Sequence, residues 1–196
     1  MPLKEILSVI AILLTLAGFY PYVRGTLVGT TQPHVFSWVV WASTTGVVFW
    51  AQLEAGGGVG CWPIAVSAAI TGLIAVLAFR RRADISITRG DWYFFVAAMS
   101  SLPLWYFTAD PTWAVVVLTV VDLLGFGPTF RKVYLTPYSE SLAFYAVFGV
   151  RNLIVVLAQE RYAVATVLFP AAMVAGCVLL MLVLLVRRRQ LGRPGE

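Results

Sequence analysis

Two charged residues, Asp122 and Arg151, lie in the middle of long apolar segments and are the residues of this sequence best placed to do chemistry. An ionisable side chain at membrane depth is costly unless it is paired or hydrated, so both should face the protein interior or a wet cavity. Two interpretations stay open. The residues form a structural ion pair, or the Asp122 carboxylate couples a proton or contacts substrate, with its protonation linked to substrate binding.

Polar and aromatic side chains at a similar depth predict a cavity for a small polar solute. Flat rings beside a band of hydroxyl and amide groups suit a sugar, a nucleoside or an amino acid. The alternative is that Ser and Thr pack between helices and bond their own backbone, and that the rings fill the core or the membrane interface. The candidate cavity residues are Trp41, Thr44, Thr45, Ser67, Thr71, Phe148 and Asn152.

Patterns typical of enzymes are missing from the sequence. It has no recognisable nucleophile–base pair, metal-ligand cluster or phosphate-binding glycine loop. Cys61 and Cys177 lack metal-ligand spacing, and both lie in apolar segments, which favours a packing role. We therefore expect no enzymatic activity, no cofactor and no metal.

The composition indicates which elements must position these residues. Hydrophobic residues make up 60% of the 196 positions, the mean hydropathy is +0.87, and only 12% of the residues are charged, about half the share of a soluble domain. A water-soluble chain of this length has too little interior for so much apolar surface, whereas lipid accepts it. Seven stretches are long enough to span a bilayer: 4–23, 34–53, 60–79, 91–108, 112–130, 141–159 and 163–186.

The basic residues predict the orientation of these spans. Eleven Lys and Arg residues fall in the loops and tail on one side of the membrane and two on the other. This places the C-terminus in the cytoplasm and the N-terminus outside, as expected for a multi-pass protein of the cell (inner) membrane whose partner is the lipid bilayer. The net charge of +5 is scattered between apolar spans, which argues against a nucleic-acid partner. A homo-oligomer stays open.

An internal repeat organises the spans. Residues 16–24 match residues 123–131 at an offset of 107, which pairs Pro21 with Pro128, and the same offset, without a gap, pairs 80–82 with 187–189. The offset crosses four spans, so the two copies should run parallel. The predicted units are residues 1–82, a linker with helix 4 at 83–110, a second unit at 111–189 and a cytoplasmic tail at 190–196. Pro21 and Pro128 are candidate hinges, or else static kinks or helix ends.

The repeated segments carry a family resemblance. The first copy reads GFYPYVRGTLVGTTQPHVFSWVVW and the second GFGPTFRKVYLTPYSESLAFYAVFG. Both resemble the PQ-loop motif, with its proline kept and its glutamine replaced by Tyr22 and Thr129. The 3+1+3 arrangement of all-α spans is similar to that of SWEET transporters and other PQ-loop proteins.

The resemblance implies a small-solute transporter that works by alternating access, with its site between the two three-helix units. In such folds the second helix of each unit lines the cavity. The same resemblance includes the KDEL receptor, so a non-transporting receptor or adaptor is the alternative. A cavity that reaches Asn152 would favour transport, and a fully packed centre would favour the alternative.

Overall fold

The computed structural model of the chain describes residues 2–29, 33, 35–81, 89–135, 137–139 and 141–191. Over these residues the ordered elements are all helical, which confirms the predicted all-α class. Two short 3-10 helices, Gly58–Cys61 and Pro137–Ser139, accompany the α-helices. The α-helices are α1 Pro2–Val28, α2 Val35–Glu54, α3 Trp62–Arg80, α4 Arg89–Met99, α5 Ser101–Thr108, α6 Pro111–Leu135, α7 Leu142–Ala158 and α8 Val164–Leu191.

Four helical segments of the described chain are long and apolar enough to cross a membrane, and they make this a membrane-embedded helical protein. These segments are Pro2–Val28, Gly58–Arg80, Pro111–Leu135 and Val164–Leu191. Two other apolar helices, α7 and α2, fall short of these limits of length and hydropathy. The 17 residues of α7 extend about 26 Å, slightly less than the roughly 30 Å of hydrocarbon. In α2, three Trp residues and a cluster of Ser and Thr lower the hydropathy.

Three predicted spans end earlier than the helices observed there. The first is predicted to end at residue 23, but α1 continues through Pro21 to Val28. The fifth is predicted to end at residue 130, but α6 continues to Leu135. The seventh is predicted to end at residue 186, but α8 continues to Leu191, into the predicted tail. Arg24 and Arg131, counted among the loop residues by the charge pattern, each lie in a helix. The backbone can stay helical through an Arg at the membrane surface, because the long side chain still reaches water.

The predicted helix at 91–108 is also interrupted. A turn at Ser100 divides it into α4 and α5, and α5 ends at Thr108, before Ala109, which has a left-handed φ of 51°. The next helix begins immediately: the Asp110 carboxylate accepts a hydrogen bond from the Thr112 backbone N–H at 2.8 Å. This bond, with one from the Thr112 hydroxyl, holds the pKa of the exposed Asp110 below its usual value. Pro111 fits the first turn of α6, where its missing N–H costs nothing.

The helices pack in a pattern that occurs twice. α3 packs against both α1 and α2, and α8 packs in the same way against both α6 and α7. We call α1–α3 the first helix group and α6–α8 the second. Contacts between these two groups are also paired, because α1 packs on α7 and α2 packs on α6. α4 and α5 lie to the side, mainly against α2 and α6. The largest buried cluster lies where the two groups meet and includes Ala11, Val48, Ile64, Leu118, Val155 and Phe169.

Candidate functional site

A cavity of about 320 Å³ lies between the two groups of helices. Side chains of α1, α2, α3, α6, α7 and α8 line it, and α4 and α5 supply none of the lining residues. The cavity is open rather than enclosed: the lining residues Trp41 and Phe144 are 44% and 50% exposed. Eight of the residues singled out from the sequence line it together: Trp41, Thr45, Ser67, Thr71, Asp122, Phe148, Arg151 and Asn152.

The other predicted residues lie elsewhere. Thr44 is buried, and its hydroxyl donates to the carbonyl of Trp41 at 3.1 Å, as expected for a packing residue. Pro21 lies inside α1 and is not among the lining residues, so it neither ends the helix nor contacts the cavity. The side chain of Pro128 lies outside the described residues, although the α6 backbone is helical at that position.

Arg151 is the best-defined polar group of the site. Its side chain is only 3% exposed. Its Nε donates to the hydroxyl of Thr15 at 2.9 Å. One Nη2 N–H donates to the carbonyl of Pro63 at 2.6 Å and another to the hydroxyl of Ser67 at 2.7 Å. Nη1 donates to the Asn152 side-chain oxygen at 3.0 Å. These bonds fix the guanidinium between α1, α3 and α7.

Asp122 does not pair with Arg151. The two side chains line the same cavity, but among the described residues no ion pair or hydrogen bond engages the Asp122 carboxylate. Helix packing supplies the reason. Arg151 lies on α7, which packs on α1, and there donates to Thr15. Asp122 lies on α6, which packs on α2, so each charge belongs to a different contact between the groups.

The hydroxyl groups of α3 serve the helix as well as the cavity. Ser67 donates to the carbonyl of Pro63 at 3.0 Å, and Thr71 donates to the carbonyl of Ser67 at 2.9 Å. These are the backbone bonds that the packing interpretation expected. Ser67 has a second role, because its oxygen also accepts from Arg151.

Aromatic rings form two walls of the cavity. On α2, Trp38 and Trp41 meet edge to face with centroids 5.3 Å apart. On α7, Phe144 and Phe148 are parallel within 5° at 6.1 Å. The helices that carry these rings are repeat mates, so an apolar ligand body would have a ring-lined wall on either side.

Two buried glutamines close the end of the bundle where α2 and α7 finish, and we call this pair the glutamine seal. The Gln52 amide donates to the carbonyl of Thr166 at 3.2 Å, and the Gln159 amide donates to the carbonyl of Gly60 at 3.3 Å. Both side chains are fully buried. Gln52 and Gln159 are repeat mates, and each reaches from one group of helices to the other. This role is not predicted from the sequence, although a Gln at both positions, 107 residues apart, is a signal visible in it.

The seal is reinforced by neighbouring contacts. Lys4, in the first turn of α1, donates to the carbonyl of Gln159 at 2.6 Å. Ser8 donates to the carbonyl of Val59 at 2.7 Å, and the backbone N–H of Glu160 donates to the carbonyl of Gly57 at 2.9 Å. This end of the bundle is therefore closed by polar contacts between the helix groups.

A proline explains why the Gln52 side chain is needed at this end. A helix carbonyl normally accepts from the N–H four residues later, and proline has none. Pro170, inside α8, removes that donor for the carbonyl of Thr166, which accepts from Gln52 instead. The carbonyl of Val59 accepts from the backbone N–H of Trp62 as well as from Ser8. Pro170 thus directs one of the contacts that close this end.

Comparison of the chain with protein-family models, with curated proteins and with solved structures finds no match. What the chain does must therefore follow from its own geometry.

Proposed function

We propose that this protein is a small-solute transporter of the inner membrane, in which two three-helix units alternately expose a central cavity to the two sides. The observation that carries the proposal is the cavity itself, which reaches Asn152, is lined by both helix groups and has a polar closure at one end. The uptake experiment described below distinguishes transport from ligand binding by a receptor.

Helix bounds and packing support the two-unit, parallel 3+1+3 arrangement. The offset of 107 takes Val35, the first residue of α2, to Leu142, the first residue of α7. It takes Val28, the last residue of α1, to Leu135, the last residue of α6. The pairing of α1 with α7 and of α6 with α2 is the contact pattern expected of two related units.

In this arrangement α4 and α5 together make the returning span, and α2 and α7 complete a total of seven. The basic residues then place the N-terminus outside and the C-terminus in the cytoplasm. The glutamine seal is on the outer side, and the cavity faces inward. Kinship with PQ-loop and SWEET-like proteins is part of the same proposal, supported by Pro21 within α1.

The glutamine seal suits a gate because its own two bonds are neutral. Each contributes about 0.5–1.5 kcal/mol net in a protein. The Gln52 side-chain oxygen is buried without a partner, which reduces the stability of the closed form. Free energies of this size are within reach of a ligand that binds the two forms unequally.

Asp122 is the proposed site of proton coupling. Its carboxylate lines the cavity, and no described residue neutralises it. Protonation on one side of the membrane and release on the other would link solute movement to a proton gradient. Asp122→Asn should abolish uptake driven by a pH gradient and leave thermal stability unchanged. Glu54→Gln, which alters an exposed carboxylate outside the cavity, is the matched control. A loss of folded protein in Asp122→Asn would instead make the carboxylate structural.

The test of the whole proposal is uptake into proteoliposomes. Sugars, amino acids and vitamins would be screened at several pH values, with and without a pH gradient, against protein-free vesicles of the same lipid. We expect at least one solute to accumulate above the control. If no solute from these classes enters faster than into empty vesicles, transport is excluded and the receptor or adaptor interpretation takes its place.

A further inference from the structure

The Arg151 guanidinium carries a buried positive charge that no described carboxylate neutralises. All four of its acceptors are uncharged: two hydroxyls, one amide oxygen and one backbone carbonyl. Hydrogen bonds from neutral groups orient a buried ion, but they do not cancel its charge. A buried charge without a counter-ion is strongly unfavourable in a low-dielectric interior. Among the described residues, no counter-ion therefore contacts the guanidinium.

The guanidinium also has donor capacity to spare. It carries five N–H groups, and Thr15, Pro63, Ser67 and Asn152 account for four of them. One Nη1 N–H is left. The acceptors hold the group from α1, α3 and from α7 itself, so its orientation is set before a ligand arrives. A smaller crevice between α1 and α7, also lined by Arg151, leaves room on a second side.

We propose that Arg151 binds the carboxylate of a small organic acid whose apolar body lies against the rings of Trp41, Phe144 and Phe148. This inference rests on the proposed transport function and specifies its substrate class. A carboxylate supplies the missing negative charge, which a neutral sugar does not. The described lining contains aromatic rings from both units, which match an apolar body.

The charge balance also limits the anion. Arg151 is the only Lys or Arg among the described lining residues, and the Asp122 carboxylate lines the same cavity. When Asp122 is protonated, as the proposed coupling requires, Arg151 can balance the one negative charge of a carboxylate but not the two of a phosphate monoester. A single carboxylate is the anionic group that fits.

Binding to the purified full-length protein in detergent tests the inference without any variant. The probes are phenylacetate and phenylacetamide, which have the same shape and differ in charge. We expect phenylacetate to bind about 10- to 100-fold more tightly, the range for a charge-assisted hydrogen bond. Equal binding of acid and amide, or no binding of the acid, would overturn the proposal. Phenylalanine separates two supporting outcomes: tighter binding than phenylacetate assigns the site to amino acids, and weaker binding assigns it to acids without an amine.

Variants then locate the carboxylate. Arg151→Gln should lose the preference for phenylacetate, and Arg151→Lys, which keeps the charge but not the planar fork, should keep part of it. Arg189→Gln removes a positive charge from an exposed position of α8 and should bind as the wild type does. A preference that survives in a folded Arg151→Gln protein would contradict the assignment.

Failure of this inference can be distinguished from failure of transport. Uptake of a neutral solute without phenylacetate binding would reject the carboxylate site and leave transport standing. Specific phenylacetate binding without uptake of any solute would keep the site and reject transport.

Discussion

Gly60 is the position where a single methyl group should force the sealed end apart. A Cβ added to Gly60 would lie 2.7 Å from both the backbone N and the Cα of Gln159, and 2.8 Å from the backbone carbon of Ala158. These are backbone atoms at the end of α7, so no side-chain rotation can relieve the overlap. The strain is relieved only if the 3-10 helix Gly58–Cys61 moves away from α7.

The expected cost of Gly60→Ala follows from this geometry. Overpacking of a well-packed site costs about 1–3 kcal/mol, and here it applies to the closed form alone. A shift of that size raises the population of the open form about 5- to 150-fold. Gly46→Ala is the matched control, because nothing lies within 4 Å of a Cβ added there.

Cys61 reports the opening, because its thiol is fully buried beside the glutamine seal. The chain has two cysteines, and Cys177→Ser removes the other. In that background we expect the rate of maleimide labelling of Cys61 to rise by the same 5- to 150-fold in Gly60→Ala and to be unchanged in Gly46→Ala. Melting in detergent, recorded in parallel, shows that the labelled protein is folded. A folded Gly60→Ala protein whose Cys61 labels at the wild-type rate would refute the seal as a gate.

Three further predictions concern stability, and each is checked by thermal unfolding in detergent. Gln52→Leu should destabilise the wild type by about 1 kcal/mol more than it destabilises a Pro170→Ala background, because alanine restores an N–H for the carbonyl of Thr166; additive effects would contradict this. Ser101→Ala should be neutral or stabilising, since the buried Ser101 hydroxyl has no partner; a clear loss of stability would show an unseen bond. The carboxylate of Asp110 has a lowered pKa in the folded protein. Its contribution to folding stability is therefore present above the unfolded pKa of about 3.9 and is lost as the pH falls through the folded pKa. Asp110→Asn should flatten this loss of stability in acid, and an unchanged pH profile would exclude a stabilising bond from Asp110 to Thr112.

Much of the helical layout could be predicted because it depends on local signals. Apolar stretches of membrane length and breaks at Gly and Pro place α2 and α7 within one residue of the predicted bounds. The errors at α1 and α6 arise because Pro and Arg are ambiguous there. Pro ends many helices in water and Arg marks the end of an apolar stretch, yet a helix at a membrane surface can continue through both.

For the site, the sequence predicted many of the residues that line the cavity but not which partners they contact. Depth in the membrane and repeat symmetry identified the cavity residues, because both follow from counting along the chain. Partners could not be assigned in the same way. Whether Arg151 meets Asp122 or Thr15 depends on which helices pack together, and that is set by contacts across the whole bundle. The role of Gln52 likewise depends on a carbonyl more than a hundred residues away.

The separation of Asp122 from Arg151 also bears on how such a chain can arise. Two identical three-helix subunits would be related by a true twofold axis, so both would carry the same residue at each position. Such a dimer could present two Thr or two Asp residues at the place of Thr15 and Asp122, but never one of each. In the proposed architecture, joining the units in one polypeptide allows the second unit alone to carry both charges, while Thr15 and Thr44 stand at the matching positions of the first. A ligand in the cavity then meets one cation and one anion, where a dimer of identical subunits would present two of each.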